Sequence, residues 1–474
     1  MNNTKTTKRA LLSSVMAMLI CITMLIGTPF AWFTDSASTA VNKIQAGKLD
    51  VQLLDEQGTS LEGQTLTWKK ATGAPADEQV LWEPGCTYQL QPIVIKNTGN
   101  LALKYKIVIT GIQGDAELNE AIEWTITNTS ATTALDADHP LAAGASDTLT
   151  ISGHMKESAG NEYQNLSIDG IGITVVATQD KVEYDSNGNT YDERAEYPVL
   201  ASSVSDFRDA LSQGNSTIIL ASDVTVDDGI QMSVTNDTAI NFNGNTLKGA
   251  VESGSISSSD GPTNLVLSDP NNSNEYSIDG NIVVHEGGGY TQLSAITVWK
   301  PTVTIESGKY THDNAVILCQ LQTQDPNAVG VVINGGTFDG KGAASVIANV
   351  FGNVIINNGT FNAYDDGDSS GECVYVSSGN SRVPSVTTIN GGTFNAVDRI
   401  FYVKVNTNYT QKIVVNGGTF NVAEGGSLIQ VSSGNASDYL TITGGTFNVD
   451  PTAYVNMANY NVTQSGSTWT VTAK

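Results

Sequence analysis

The C-terminal half of this chain repeats one short phrase, a β-branched run followed by Asn-Gly-Gly-Thr-Phe or a close variant. The copies end at Phe338, Phe361, Phe394, Phe420 and Phe447, which lie 23, 33, 26 and 27 positions apart. Self-similarity with such a period is typical of stacked solenoids. One unit of this size cannot bury its own apolar face, so its stability must come from stacking on its neighbours.

Each copy predicts two short strands around a sharp corner. In the first clear copy Val331 and Ile333 alternate with Val332, so one pair of side chains faces the interior. The second glycine, Gly336, can adopt a positive φ without steric cost, which a corner requires. Stacking then predicts an internal column of the phenylalanines and a second column of asparagines, whose amides bond along the stack. The second column contains Asn334, Asn357, Asn390 and Asn416, with Thr443 in the last copy.

We therefore predict a parallel β-helix over residues 197–474. The alternative is a β-sandwich with glycine-rich hairpins, since Asn-Gly and Gly-Gly are strong hairpin signals. A sandwich, however, gives no reason for the same residues to recur in the same order. Ser203–Leu211 predicts a short amphipathic helix that caps the open end of the stack, and Thr468–Thr472 predicts a closing strand at the other end.

The N-terminus predicts export. Residues 2–9 contain three basic side chains and no acid, and the stretch from Ala10 to Phe33 is almost entirely apolar or small. This arrangement is typical of a secretory signal peptide, which we predict over residues 1–31. The apolar run is also long enough to span a bilayer, so an uncleaved anchor is the alternative. Either way, the protein is expected outside the cell, secreted or at the cell surface.

A family resemblance follows from the residues around the end of this leader. Thr28–Asp35 and Ile44–Val51 resemble the exported camelysin/TasA-like proteins of Gram-positive bacteria. The resemblance implies cleavage near Ala31 by a SipW-type signal peptidase and a jelly-roll-like β-sandwich over residues 32–180. It also implies self-assembly into fibres, in which a strand such as Leu49–Leu53, or the segment from Trp32 before it, completes the sheet of a neighbour. The alternative is that this strand pairs within its own sandwich.

The residues themselves also predict a sandwich in this region. Residues 88–96 are extended in pattern, and Asn97–Asn100 has the composition of a turn. The stretch 101–109 then alternates between apolar and mixed positions, which predicts a hairpin with one buried face. The polar, charged residues 181–196 predict a linker. The expected fold class is all-β: an N-terminal jelly-roll-like sandwich, then a β-helix that resembles pectate-lyase-like repeat proteins.

The charge and cysteine content of the chain limit the classes of partner and of covalent cross-link that can be expected. The net charge of −25 argues against nucleic acid and anionic membranes. After loss of Cys21 with the leader, Cys86, Cys319 and Cys373 form an odd set, which is not a disulfide framework. Cys319 and Cys373 lie in apolar strands, which predicts buried side chains.

Candidate chemistry is sparse. Polysaccharide lyases of the β-helix type resemble one another in using acidic calcium ligands with an arginine or lysine as the base, and the only arginines of the solenoid are Arg208, Arg382 and Arg399. Hard cations favour oxygen-rich loops, and the densest acidic group follows Phe361. The candidate calcium ligands are Asp365, Asp366, Asp368 and Glu372. The spacing of these acids does not match that of a recognisable calcium-binding loop, so a solvated acidic loop is the alternative. No His-Glu-x-x-His motif is present, and we predict no catalytic residue and no cofactor other than calcium.

These patterns predict a non-enzymatic surface or matrix protein. Its β-helix would present a repetitive face to extracellular glycans or other matrix components, with affinity from many weak contacts. The alternative is a polysaccharide lyase or glycoside hydrolase with a site on one β-helix face. A third hypothesis is a purely structural fibre subunit that assembles through the first domain.

Overall fold

The protein is described by a computed structural model. It covers residues 49–474, except 62–63, 65, 67, 70–80, 116, 129–131, 136, 181–195, 214–215, 227–231, 254–263, 271–275, 281–282, 285–289, 292–293, 301, 324, 342–344, 365–370 and 378–382. The predicted signal peptide and nearly all of the predicted linker lie outside these residues. The described part of the chain forms two compact units, within Met1–Tyr197 and Pro198–Lys474.

The first unit is a sandwich of two antiparallel sheets. Its strands are β1 Val51–Leu54, β2 Trp68–Lys69, β3 Thr87–Leu90, β4 Ile93–Asn97, β5 Leu103–Gly114, β6 Ile122–Thr127, β7 Thr132–Ala134, β8 His139–Leu141, β9 Ser146–Met155 and β10 Ile168–Gln179, with a one-turn helix α1 at Glu117–Glu120. One sheet has the order β1-β4-β9-β3-β2 with β6 and β7 attached, and the other has the order β10-β5-β8. Ile95 and Leu149 of the first sheet share one core with Tyr105 and Ile107 of the second.

The predicted hairpin around Asn97–Asn100 is wrong. Strand β4 pairs with β1 and β9, whereas β5 pairs with β10 and β8, so the chain crosses between the sheets at this turn. The reason lies in Asn97, whose side chain is fully buried and donates to the carbonyls of Leu101 and Leu141 at 2.8 and 3.2 Å. The alternating burial of β5 was predicted correctly, because period-2 alternation holds for either pairing.

Strand β1 pairs with β4 of the same sandwich, with Val51 opposite Asn97. This pairing corresponds to the alternative in which the strand after the leader stays within its own domain. The segment around Trp32, which the fibre hypothesis also uses, lies outside the described residues. Self-assembly through this domain therefore stays a prediction.

The second unit is a parallel β-helix. From residue 199 to 312 its strands are β11 Val199–Ala201, β12 Ser216–Leu220, β13 Val224–Thr225, β14 Met232–Val234, β15 Thr238–Asn241, β16 Leu247–Lys248, β17 Val251–Ser253, β18 Leu265–Ser268, β19 Ile278–Gly280, β20 Val283–Val284, β21 Tyr290–Thr291, β22 Ser294–Val298, β23 Val303–Ile305 and β24 Lys309–His312. From residue 315 onward they are β25 Ala315–Gln320, β26 Val329–Ile333, β27 Thr337–Gly340, β28 Ile347–Ile356, β29 Thr360–Ala363, β30 Glu372–Ser377, β31 Ser385–Ile389, β32 Thr393–Ala396, β33 Arg399–Lys404, β34 Gln411–Val415, β35 Thr419–Val422, β36 Ser427–Val431, β37 Leu440–Ile442, β38 Gly445–Phe447, β39 Tyr460–Ser465 and β40 Thr468–Ala473.

Each regular coil contributes one strand to each of three parallel sheets. The first sheet contains β26, β31 and β34, the second contains β27, β29, β32 and β35, and the third contains β25, β30 and β33. Strand β28 continues from the third sheet into the first. The predicted all-β class with a parallel β-helix is confirmed.

The phenylalanine column is present as predicted. Phe338, Phe361, Phe394, Phe420 and Phe447 stack in file, with successive ring centroids 4.9, 4.6, 4.9 and 4.8 Å apart and the rings within 11° of parallel. All five side chains are buried. The stack places one aromatic ring in each of these five coils, which helps to specify the register of this part of the second sheet.

Both ends of the stack are covered. Helix α2, Val204–Gln213, buries Phe207 and Leu211 against the first coils, as the cap pattern predicted. At the other end β40 pairs antiparallel with β38 and β39, so a hairpin closes the parallel sheet.

Cys319 and Cys373 are buried in the interior and unbridged, as expected. Among the residues that the structure describes, no helix is long and apolar enough to cross a membrane.

The corner glycine of each copy provides a stability prediction. Gly392 has φ +99°, and a Cβ there would lie 2.9 Å from the carbonyl oxygen of Gly359 in the preceding coil. Gly425 has φ +86° and no atom within 4 Å of the same position. Backbone strain costs each alanine variant roughly 1–3 kcal/mol, but only Gly392→Ala adds a clash. We expect thermal unfolding to show the larger loss for Gly392→Ala, and equal losses would contradict the steric argument.

Candidate functional site

The predicted asparagine column forms a continuous ladder on the outside of the solenoid. In this first ladder each Nδ2 donates to the Oδ1 of the preceding coil, at 2.8 Å from Asn357 to Asn334 and 2.9 Å from Asn390 to Asn357. Glu306 accepts the bond from Asn334 at one end, and Thr443 donates to Asn416 at the other. The amide column and its threonine terminus are confirmed.

A second ladder was missed by the sequence analysis. Asn362 donates to Asp339 at 2.7 Å, Asn395 to Asn362 at 2.8 Å, and Asn421 to Asn395 at 2.9 Å. The signal was available, because each repeated Phe from Phe361 onward is followed by Asn. Asn448 does not extend this second ladder; its side chain bonds the backbone of Val422 instead.

The second ladder borders a groove of about 300 Å³ at the corner between the second and third sheets. Three coils line it in the same way, each with a ladder asparagine, a small or β-branched residue and an outer residue. The lining residues are Asn362, Ala363, Tyr364, Asn395, Ala396, Val397, Asn421, Val422 and Ala423. Tyr364 is 49% exposed and Val397 is 43% exposed, although both are large apolar or aromatic side chains.

A charged cluster continues from the ladder at its Asp339 end. The Asp339 carboxylate accepts from the Tyr276 hydroxyl at 3.1 Å and lies 3.8 Å from the Lys309 ammonium. Lys309 and Lys341 both lie over the Tyr276 ring, 4.4 and 5.2 Å from its centroid. Lys341 also pairs with Asp279 at 2.7 Å. Each lysine in this cluster therefore has a carboxylate partner.

The electrostatics of the cluster keep its tyrosines protonated. Burial, aided by the Asp339 carboxylate, raises the pKa of Tyr276 to about 12. Burial and the same carboxylate also raise the pKa of Tyr364. Both hydroxyls are therefore neutral donors near pH 7, and neither is suited to act as a base.

Of the candidate calcium ligands, only Glu372 is described; Asp365, Asp366 and Asp368 lie outside the described residues. The Glu372 side chain is buried, accepts from the Ser345 hydroxyl at 2.7 Å and pairs with Arg399 at 3.1 Å. Burial raises its pKa, against the opposing effects of Ser345 and Arg399. No group of three potential metal ligands occurs within the described part of the chain. The calcium hypothesis stays a prediction.

The accessible lining of the groove is mostly apolar, and the amides of the second ladder lie along its border. An asparagine amide has two N–H donors and an acceptor oxygen with two lone pairs. In Asn362 and Asn395 a ladder bond on each side uses one donor and one lone pair, which leaves one of each. Among the described residues, those that line the groove include no carboxylate, imidazole, thiol or ammonium group.

No protein-family model matches the chain, and no curated protein matches it significantly in sequence.

Proposed function

We propose that this chain is an exported surface or matrix protein of a Gram-positive bacterium whose solenoid binds a glycan along the groove. The second ladder beside that groove is the observation that carries the proposal. The basic and apolar leader and the camelysin/TasA-like segments support export and a matrix location. The net charge of −25 also favours an uncharged polymer over a polyanion as the ligand.

Sugar hydroxyls both donate and accept hydrogen bonds, and the ladder amides along the groove contain both donors and acceptors. The amides are already held by their ladder bonds, so less side-chain freedom is lost when a ligand binds. The tyrosine at the edge adds an exposed aromatic face, which suits the apolar faces of sugar rings. Sugar rings, which combine apolar faces with hydroxyl groups, therefore fit a groove with an apolar lining and bordering amides better than ions do.

The repeat of the site favours a polymer over a single sugar. Parallel strands lie about 4.8 Å apart, which is close to the length of one sugar unit in an extended glycan. A chain that runs along the solenoid axis would meet an equivalent set of groups in each of three coils. Weak contacts in series then raise the overall affinity.

We expect Asn395→Ala to weaken glycan binding about tenfold, because it removes about two hydrogen bonds worth roughly 1 kcal/mol each, partly replaced by water. The matched control is Asn390→Ala, which removes a ladder amide from the same coil but away from the groove. Binding would be measured on a glycan array and then by calorimetry with the strongest ligand. An array without any binding would remove the proposal, and equal losses in both variants would place the ligand elsewhere.

A further inference from the structure

The hairpin that closes the second sheet of the solenoid has an open outer edge. Strand β40 lies between β38 and β39, and β39 is the last strand of that sheet. Among the described residues, no strand pairs with the other side of β39. The opposite end of the solenoid differs, because helix α2 packs against the first coils there. A strand edge of this kind presents unpaired N–H and C=O groups that can pair with another chain.

Strand β39 lacks the features that usually protect an edge. Its sequence, Tyr-Asn-Val-Thr-Gln-Ser, contains no charged residue and no proline. It pairs with β40 in an unbroken register from Tyr460 to Ser465, without a bulge. Because lysine, proline and bulges are the common devices against pairing between edges, this edge is open to a partner strand.

The register of the hairpin fixes which backbone groups face the open edge. Its turn has two residues, so the closing pair, Ser465 and Thr468, exchanges backbone hydrogen bonds. Bonded and non-bonded pairs alternate along an antiparallel ladder, so Thr463 also bonds β40. The N–H and C=O groups of Val462 and Gln464 therefore point away from β40, toward the open edge.

This arrangement is complementary to itself. If Thr463 meets its counterpart from a second copy in an antiparallel pair, Val462 of each copy lies opposite Gln464 of the other. Each copy then offers two N–H donors and two C=O acceptors, and all of them are paired. Two threonines that face each other across neighbouring strands also form a favourable side-chain pair.

The distribution of charge favours a second copy of this chain as the partner. The net charge of −25 makes two copies repel each other overall. Residues 445–474, however, contain only one acid, Asp450, and one base, Lys474. Met457, which precedes β39, is 46% exposed and adds apolar surface to this region. Two such acidic chains can therefore approach each other closely at this nearly uncharged edge.

We infer that two copies of this chain associate through β39, edge to edge and antiparallel, with Thr463 at the twofold axis. The second sheet of one solenoid then continues into the second sheet of the other. This inference does not depend on the proposed glycan-binding function. An edge of six residues buries little surface, so we expect a dimer that dissociates on dilution.

The first test is sedimentation velocity of the full chain over a concentration series, in which we expect the dimer fraction to rise with concentration. Gln464→Pro removes an outward N–H donor at an exposed edge position, where proline is tolerated. It should weaken association at least about tenfold, because the dimer loses two of its four backbone bonds. Gln464→Ala is the matched control, since it removes the same side chain but keeps the donor. A chain that stays monomeric up to about 100 µM, or association that Gln464→Pro does not weaken, would overturn the inference.

A pair of charge variants tests the position of the axis. Thr463→Lys and Thr463→Glu each place like charges opposite one another, so each variant alone should dimerise at least about tenfold more weakly. An equimolar mixture of the two, each with its own fluorescent label, should form the mixed dimer, because the charges then attract. Thr472→Lys, at an exposed position on β40 away from the edge, should associate like the unchanged chain. Recovery in the mixture would show that both variants are folded, whereas a mixture that stays monomeric would contradict pairing about Thr463.

Discussion

Replacement of Phe394 by alanine is expected to destabilise the solenoid by about 3–5 kcal/mol. The ring is fully buried and stacks on Phe361 at 4.6 Å and on Phe420 at 4.9 Å. Its loss opens a cavity in the middle of the column and removes two ring contacts. Neighbouring coils cannot close the cavity easily, because their strand spacing is set by the backbone hydrogen bonds of all three sheets.

Calorimetry of the full chain would measure this effect, because the two compact units can give separate transitions. We expect the transition of the solenoid to fall by several degrees while that of the sandwich is unchanged. Thr393→Ala is the control, since its side chain leaves the same strand toward the outside. Phe394→Leu should give an intermediate loss. If Phe394→Ala lowers the transition temperature no more than Thr393→Ala does, the phenylalanine column does not stabilise the stack as argued.

Arg399→Ala is expected to destabilise the solenoid by about 3–5 kcal/mol, because it leaves Glu372 buried without a counter-charge. The guanidinium lies 3.1 Å from Glu372, and the two side chains are 13% and 7% exposed. Lys341→Ala is the matched control, because its ion pair with Asp279 is more than a third exposed on the lysine side. Exposed pairs contribute about 1 kcal/mol or less.

The loss of stability caused by Arg399→Ala should increase with pH. Burial holds the pKa of Glu372 above its ordinary value of 4.5, and removal of Arg399 takes away an effect that lowers it. A raised pKa in the folded state favours the protonated form, so the contribution of Glu372 to stability is present below the ordinary pKa and is lost as pH rises through the folded value. Urea unfolding near pH 4 should therefore show a smaller loss than unfolding near pH 7.5.

Two further results would decide the role of this pair. Glu372→Gln combined with Arg399→Met removes both charges, and we expect it to recover much of the stability lost in the single variant. A loss in Arg399→Ala that is the same at both pH values would mean that packing of the arginine side chain, rather than the charge of Glu372, stabilises the third sheet.

The contacts within the solenoid could be predicted from the sequence for a simple physical reason. Coils stack in register, so equivalent residues of successive copies must meet, and their contacts follow from alignment of the copies alone. The phenylalanine stack and the first ladder were predicted in this way. The same logic would have predicted the second ladder, had the repeated phrase been extended by one residue to include Asn362 and its counterparts.

The sandwich shows where local patterns fail. Alternation in 101–109 correctly predicted which face of β5 is buried, because side chains alternate in any strand. Strand partners depend instead on contacts distant in sequence. Asn97 bonds the carbonyl of Leu141, 44 positions away, and this bond belongs to a corner between sheets rather than a hairpin. Nothing in the local sequence distinguishes the two.

The sequence by itself determined the fold class, the capped solenoid and its columns, because repetition and burial patterns are local properties. Only the tertiary structure revealed the groove, because it is made by three coils and the corner between two sheets. It also explained the first glycine of the phrase: a Cβ at Gly417 would lie 2.5 Å from the Asn390 carbonyl of the preceding coil. That distance exists only after stacking, when backbone meets backbone across coils.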